Sequence, residues 1–116
     1  MMSPEVHRAL ADYADVVRRH YGARLVDILI FGSRARGDAR PDSDADIAVI
    51  LEDGDWHFWT EKMALAGLAY DVLLEHDLYV QPWPFPRTAW NSPATHPKRR
   101  LIENIRKDAR PLTQSA

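Results

Sequence analysis

The sequence contains no cysteine, which excludes disulfide frameworks and thiolate metal sites. It has no apolar run long enough to span a bilayer, and residues 1–5 lack the basic and apolar regions of a signal peptide. A formal net charge of -2 gives no general attraction to nucleic acid or to anionic membranes. These absences favour a cytoplasmic protein whose function involves neither a membrane nor nucleic acid.

The composition, 46% hydrophobic and 28% charged residues in 116 positions, is typical of a soluble globular protein. That length suits one domain over residues 1–116 with one modest core. We expect the tail after about residue 111 to be disordered. We find no internal repeat and no low-complexity segment.

Two apolar runs flank the segment that carries the chemistry of this chain. The first, residues 25–31, leads into Gly32-Ser33, and the second, residues 45–51, begins around Asp44-Ala45-Asp46. The ten residues between Ser33 and Asp44 are rich in Arg, Gly and Asp. The pattern therefore predicts two strands joined by a polar loop, with Gly-Ser at its entry and two carboxylates at its exit.

The two carboxylates point to a divalent metal. Side chains alternate along a strand, so Asp44 and Asp46 point the same way, roughly 7 Å apart. They repel each other unless a cation lies between them, and hard oxygen ligands of this kind suit Mg²⁺ together with phosphate oxygens. Aspartates at a strand start can also serve only to stabilise a turn, so the spacing alone does not establish a metal site.

The entry to the loop points to a phosphate. Gly32 allows close backbone approach. If residues 33–36 form a helical turn, their free N–H groups and the Ser33 hydroxyl face an anion. Gly-Ser before a turn is common by itself, but its conjunction with Asp44 and Asp46 across ten residues is hard to produce by chance. Together the two features predict a nucleotide–metal site.

Residues 31–51 resemble the signature of the nucleotidyltransferase superfamily with the DNA polymerase beta fold, Gly-Ser followed by Asp-x-Asp. The short chain and the segment Gly-Ser-Arg-Ala-Arg-Gly-Asp resemble the minimal nucleotidyltransferases (MNT) in particular. The resemblance implies that Asp44 and Asp46 hold Mg²⁺ and are catalytic. It also implies that Gly32, Ser33 and Arg36 bind the nucleotide, with ATP as substrate.

The resemblance also implies a partner. MNT proteins of this size are often paired with a helical HEPN protein, typically a toxin ribonuclease. The implied function is an antitoxin that transfers AMP from ATP to a hydroxyl of that partner. Two alternatives remain: a nucleotide-binding module that neutralises its partner by contact alone, and an antibiotic nucleotidyltransferase. The last usually needs an added helical domain, for which 116 residues leave no room.

The third carboxylate of the superfamily lacks a clear counterpart. It is expected on the strand after the second long helix, where the sequence reads Leu78-Tyr79-Val80-Gln81-Pro82. The expected position holds Gln81, which is neutral and cannot act as a base. Asp77 is the nearest acid, and it shares a face with Gln81 only if the strand begins there. This departure weighs against catalysis more than against nucleotide binding.

The flanking elements follow from capping residues and periodicity. Ser3-Pro4 predicts the start of a first helix that ends near Gly22. We further expect a helix over residues 60–75, a short strand over residues 78–81 ended by Pro82, and a last helix over residues 97–108. In the helix predicted over residues 60–75, one face is formed by Met63, Ala66, Tyr70 and Leu73. The overall prediction is an α+β domain with a small mixed sheet and helices mainly on one face.

Three other features admit plain structural readings. The aromatic cluster of Trp56, Phe58 and Trp59 favours packing over base stacking, although it could also form a partner surface. The basic face of the last helix favours a solvated surface over a binding patch. The five histidines show no metal-ligand spacing. A small domain with exposed aromatic residues is a candidate for self-association.

Overall fold

The computed structural model describes residues 3–112. This part of the chain forms five α-helices and four strands. The helices are α1 (Pro4–Tyr21), α2 (Ser33–Arg36), α3 (Phe58–His76), α4 (Arg87–Asn91) and α5 (Arg99–Asp108), and the strands are β1 (Leu25–Phe31), β2 (Ala45–Leu51), β3 (Val80–Pro86) and β4 (Arg110–Pro111). Short 3-10 turns occupy Gly22–Arg24 and Pro93–Thr95.

The four strands form one mixed sheet in the order β3-β2-β1-β4. β1 is antiparallel to both of its neighbours, whereas β2 and β3 are parallel. A parallel pair needs a long crossover, and α3 supplies it. The predicted α+β class with a small mixed sheet is therefore confirmed.

The first helix begins and ends where its capping residues predict. The Ser3 hydroxyl accepts a hydrogen bond from the Val6 N–H at 3.2 Å, and Pro4 occupies the first helical position. Gly22 follows the last helical residue with a positive φ of 56°. Leu10, Tyr13 and Val17 are fully buried against the sheet side of the molecule, as their helical spacing requires.

The larger core lies between α1, α3 and one face of the sheet. Alternation along β2 places Ile47, Val49 and Leu51 in this core, while Ala48 and Ile50 point to the opposite face. There a smaller core forms with Phe85 and with residues of α4 and α5. The face of the sheet that carries Asp46 is therefore apolar away from the end of the strand.

Helix α3 is longer than predicted, and its buried face differs from the predicted stripe. Its buried residues are Glu61, Leu65, Ala69 and Val72, while Met63 and Tyr70 are exposed. The helix is apolar on nearly all sides, so periodicity alone cannot identify the face that meets the core. Glu61 is satisfied in the core, because its carboxylate accepts the Tyr21 hydroxyl at 2.9 Å.

Strand β3 begins at Val80, two residues after the predicted start, and continues through Pro82 to Pro86, so both predicted bounds are corrected. The Ala45 N–H donates to the Tyr79 carbonyl. The backbone N–H and C=O groups of the odd-numbered residues in this segment therefore point toward β2. Pro82, Pro84 and Pro86 therefore turn their nitrogen atoms to the free edge of the sheet, where no ladder bond is lost. Proline at alternate positions also leaves that edge poor in donors for pairing with another strand.

The last helix begins at Arg99, two residues after the predicted start, and ends at Asp108 as predicted. Ile102 and Ile105 are buried, whereas Leu101 is exposed. Residues 110–111 pair with β1 and Leu112 is buried; the rest of the predicted disordered tail lies outside the described residues. Among residues 3–112, no helix is both long and apolar enough to cross a membrane.

Candidate functional site

The site begins where β1 ends, at a glycine that contacts a carboxylate. Gly32 has φ 74° and ψ −154°, a conformation that residues with a side chain rarely adopt. A Cβ on this residue would lie 2.4 Å from Oδ2 of Asp46, which is far inside van der Waals contact. Glycine is therefore required both by the backbone conformation and by the neighbouring carboxylate.

After Gly32 the chain forms the single helical turn α2, which meets the condition that the sequence analysis set for anion binding. The Arg36 N–H donates to the Gly32 carbonyl and the Gly37 N–H to the Ser33 carbonyl, both at 3.0 Å. Gly37 closes the turn in the left-handed conformation with φ 86°. The first N–H groups of such a turn have no acceptor within the helix, so they are available to an anion.

A buried arginine shapes the loop between α2 and β2. The Arg34 guanidinium donates to the Ser43 carbonyl from Nε at 3.1 Å and from Nη2 at 2.7 Å, and to the Pro41 carbonyl at 3.3 Å. These bonds fix the returning limb of the loop just before Asp44. The sequence analysis did not single out this residue, because its acceptors are backbone carbonyl groups that carry no sequence signal.

Asp44 directly precedes β2 and is exposed, whereas Asp46 is the second residue of the strand and is half-buried. Asp46 is in register with Phe31 of β1 and with Gln81 of β3. Burial, followed by the nearby charge of Asp44, raises the pKa of Asp46, and the charges of Arg36 and Lys62 oppose that rise. The pair is thus close enough to interact, and its joint ionisation is disfavoured.

Arg36 stands beside this pair but is engaged elsewhere. Its Nη1 lies 2.9 Å from a carboxylate oxygen of Asp108 and its Nε lies 3.3 Å from one of Asp38. The hydrogen bond to Asp108 and then that to Asp38 raise the pKa of Arg36. The side chain therefore links α2 to the end of α5, and it would have to exchange a carboxylate for a phosphate to contact a nucleotide.

Lys62 is a further cation at the site, and the sequence analysis missed it. Its Nζ donates to the outward-facing Pro82 carbonyl and lies 4.3 Å from the centroid of the Trp83 ring. Burial lowers the pKa of Lys62, and the charge of Asp46 partly restores it. The crossover helix α3 brings this residue to the edge of the sheet, a placement that no local pattern predicts.

Gln81 occupies the position on β3 beside Asp46. Residues in register on parallel strands point to the same face, so its half-buried amide faces the aspartate pair. Asp77 is placed differently. It caps the C-terminus of α3 with φ 55°, donates its N–H to the Leu73 carbonyl at 2.9 Å, and precedes β3 by three residues.

The donor set of this site fits a hard divalent cation. Two carboxylates and an amide oxygen are the ligand types that Mg²⁺ accepts. The charged form of Asp46 is disfavoured by burial and by Asp44, and a cation between the two carboxylates would relieve both effects. With the free N–H groups of α2 nearby, the arrangement can hold a metal-bound polyphosphate.

A second group of titratable residues lies on the helical face of the molecule. Asp12, Glu75 and His76 bring one potential ligand atom each to within 4.8 Å of one another. His76 Nε2 lies 2.7 Å from the carboxylate of Asp12, which ties the end of α3 to α1. We assign this group a structural role between the two helices.

Comparison with known proteins agrees with this geometry. The family model for the nucleotidyltransferase domain matches residues 10–109. A protein of Methanocaldococcus jannaschii, described as a candidate protein adenylyltransferase, is 31% identical over 67 residues. That match covers 58% of this chain and 66% of the relative, so it spans slightly less than two thirds of the relative's length.

Two solved structures share the fold. One, described as a candidate minimal nucleotidyltransferase, has a TM-score of 0.60 and 28% identity, and the match covers 95% of this chain and 96% of that one. The other is the crystal structure of a toxin–antitoxin with AMP-PNP, with a TM-score of 0.55 and 22% identity over 89% of this chain and 72% of that one. At that identity, the second match supports the fold alone.

Proposed function

Because the chain belongs to the nucleotidyltransferase domain family, we propose that it transfers AMP from ATP to a hydroxyl group of a protein partner in the cytoplasm. The observation that carries the proposal is the contact between Gly32 and Asp46. It joins the end of β1 to the start of β2, so the turn α2 and the aspartate pair form one site. A polyphosphate on α2 would lie beside a cation on the carboxylates.

We assign the residues as follows. Asp44 and Asp46 hold Mg²⁺, with the amide oxygen of Gln81 as a neutral neighbour. The Ser33 hydroxyl and the free N–H groups of α2 hold the triphosphate. Arg36 contacts the nucleotide after release from Asp108 or Asp38. When bound, the cation would neutralise charge on the transferring phosphoryl group and on the leaving pyrophosphate.

In the proposed reaction the acceptor oxygen bonds to the α-phosphorus of ATP. The bond from that phosphorus to the bridging oxygen breaks, and pyrophosphate leaves with that oxygen. The acceptor hydroxyl loses its proton to solvent or to a base on the partner, because Gln81 has no basic atom. In this assignment Gln81 replaces the third carboxylate of the superfamily, which predicts slow transfer.

The relatives suggest the type of acceptor. One is described as a candidate protein adenylyltransferase, and the other belongs to a toxin–antitoxin complex with a nucleotide analogue. Together with the MNT resemblance, these descriptions lead us to propose a helical toxin of the HEPN type as partner and an antitoxin role for this chain.

A second function is favoured by Gln81 alone. Without a carboxylate in that position, the domain could bind ATP and neutralise its partner by contact without transferring AMP. The two functions differ in one observable, the appearance of a covalent AMP on the partner.

The test is incorporation of label from α-labelled ATP into the co-purified partner, with and without Mg²⁺. We expect slow, Mg²⁺-dependent labelling that is lost when Asp44→Asn and Asp46→Asn are combined. Asp42→Asn, an exposed acid in the preceding loop, is the matched control and should label normally. Labelling that survives in the double variant contradicts the site assignment. ATP binding without labelling, in the presence of the partner, favours the second function.

A further inference from the structure

Helix α3 presents an apolar stripe to solvent. Its members are exposed to 69% (Trp59), 67% (Met63), 58% (Tyr70) and 68% (Leu74). They recur at intervals of four, seven and four residues, so they share one face of the helix, opposite the buried Leu65, Ala69 and Val72. Single exposed apolar residues are common, but four on one helix face mark an interaction surface.

The positions of the large side chains along the stripe are symmetric about its centre. Trp59 and Leu74 lie equally far from the midpoint between residues 66 and 67, and so do Met63 and Tyr70. At the midpoint stand Ala66 and Gly67, which are both exposed, and a Cβ on Gly67 would meet nothing within 4 Å. The helix face therefore has large residues toward both ends and a shallow notch at its centre.

We propose that this face is the contact of a homodimer in which two α3 helices pack antiparallel across a two-fold axis at Ala66-Gly67. A two-fold interface uses the same patch on both subunits, so the patch must complement itself. The axis places Trp59 level with the partner's Leu74, and Met63 level with the partner's Tyr70. The small residues at the centre let the helix axes approach closely. A different protein as partner would not require the symmetric spacing.

The charges on the flanks of the stripe are compatible with this arrangement. In this arrangement Asp71 and the partner's Asp71 are nine residues apart along the helix axis, roughly 13 Å. That distance exceeds the Debye length of about 8 Å in physiological salt, so their repulsion is largely screened. Thr60 lies on the same flank and within about 3 Å of the level of the partner's Asp71. Its hydroxyl can donate to that carboxylate.

The area of the stripe also suits a dimer. With large side chains of roughly 150–250 Å² each, the four exposed members offer on the order of 500–600 Å² per subunit. A stable interface buries about 800 Å² per partner, so the stripe would supply most of that area and the residues on its flanks would have to supply the rest. We therefore expect a reversible dimer whose dissociation is measurable at ordinary protein concentrations.

The first experiment is sedimentation of the full chain over a range of concentrations. We expect a monomer–dimer equilibrium whose dissociation constant increases roughly 100-fold in Met63→Glu, since each dimer loses two central contacts. Leu101→Glu alters an exposed apolar residue outside the stripe and is the control. Tyr70→Glu provides an independent second variant, and circular dichroism verifies folding. A chain that stays monomeric, or a dimer insensitive to both stripe variants, overturns the proposal.

The second experiment tests the antiparallel orientation. Because the sequence contains no cysteine, an introduced cysteine is the only thiol that can react. Met63→Cys and Tyr70→Cys variants are exposed to a short thiol cross-linker, separately and mixed. We expect cross-linked dimers from the mixture and little from either variant alone, because Met63 is level with the partner's Tyr70. Strong cross-linking of each variant with itself indicates parallel helices and overturns the arrangement, as does no cross-linking in any sample.

Discussion

The carboxylate of Asp46 rests against the backbone of Gly32, so closely that a Cβ at position 32 would lie 2.4 Å from Oδ2. The two residues are fourteen positions apart in the sequence and lie on adjacent strand ends. Their contact holds the polar turn α2 next to the aspartate pair at one end of the sheet. The consequences for substitution follow directly from it.

Gly32→Ala should destabilise the fold and disrupt the site. The unfavourable backbone conformation costs about 1–3 kcal/mol, and the new methyl group must displace Asp46. We expect lower stability in urea and loss of Mg²⁺-dependent ATP binding. Gly37→Ala is the matched control, because it also has positive φ but its Cβ would meet nothing within 4 Å. It should cost about 1–2 kcal/mol and keep ATP binding. Equal binding by the two variants would contradict the proposed contact.

Asp46→Asn should stabilise the metal-free protein at neutral pH. Burial and Asp44 raise the pKa of Asp46 above its ordinary value of 3.8, so the folded state binds this proton more tightly than the unfolded state. Stability is therefore lost as pH rises from 3.8 through the raised value, and Asn removes that loss. Thermal melts should show a higher Tm for the variant at pH 7 and no difference below pH 3.8.

Added Mg²⁺ should reverse the order at pH 7 by stabilising only the native protein. Asp42→Asn, in the exposed loop, should follow the native protein in both conditions. If the Asp46→Asn variant is no more stable than the native protein in metal-free buffer, the surroundings of Asp46 do not disfavour its charged form, which contradicts the prediction.

Gln81→Asp should increase AMP transfer to the partner, or reveal transfer where the native chain shows none. The new carboxylate would lie in register with Asp46, where it could accept the proton of the acceptor hydroxyl. General-base assistance is worth about 10²- to 10⁴-fold, and part of that range should appear in label incorporation. The metal-free variant should be less stable because three carboxylates repel.

Gln81→Asn is the control for the change in length, and it should transfer no faster than the native chain. Brisk transfer by the native protein with no effect of Gln81→Asp would mean that the proton leaves by another route, for example through a residue of the partner.

Arg34→Lys should weaken the site although it keeps the charge. Lysine cannot reproduce the forked contacts to the Ser43 and Pro41 carbonyl groups. Leaving a buried carbonyl unpaired costs about 1–3 kcal/mol, which urea unfolding can measure. ATP–Mg²⁺ affinity should also decrease, because the loop positions Asp44. The exposed Arg40 provides the control, and equal effects of Arg40→Lys would contradict this role for Arg34.

The sequence by itself determined the elements whose signals are local. β1 and β2 have the predicted bounds because each is an apolar run between polar turns, and α1 has the predicted caps because Ser3 and Gly22 act on their own helix ends. The order Gly32-Ser33, loop, Asp44-x-Asp46 also placed the candidate site at one end of the sheet. Side-chain alternation along the predicted strand placed Asp44 and Asp46 on the same side of β2.

Only the tertiary structure decided the features that depend on contacts between distant segments. α3 is apolar almost all round, so its packing against α1 and the sheet selected Leu65 for the core and left Met63 outside. β3 could continue through Pro82 because it lies at the free edge of the sheet. Lys62 approaches Asp46 through the crossover helix. Burial and register depend on which segment covers which, and no local pattern carries that information.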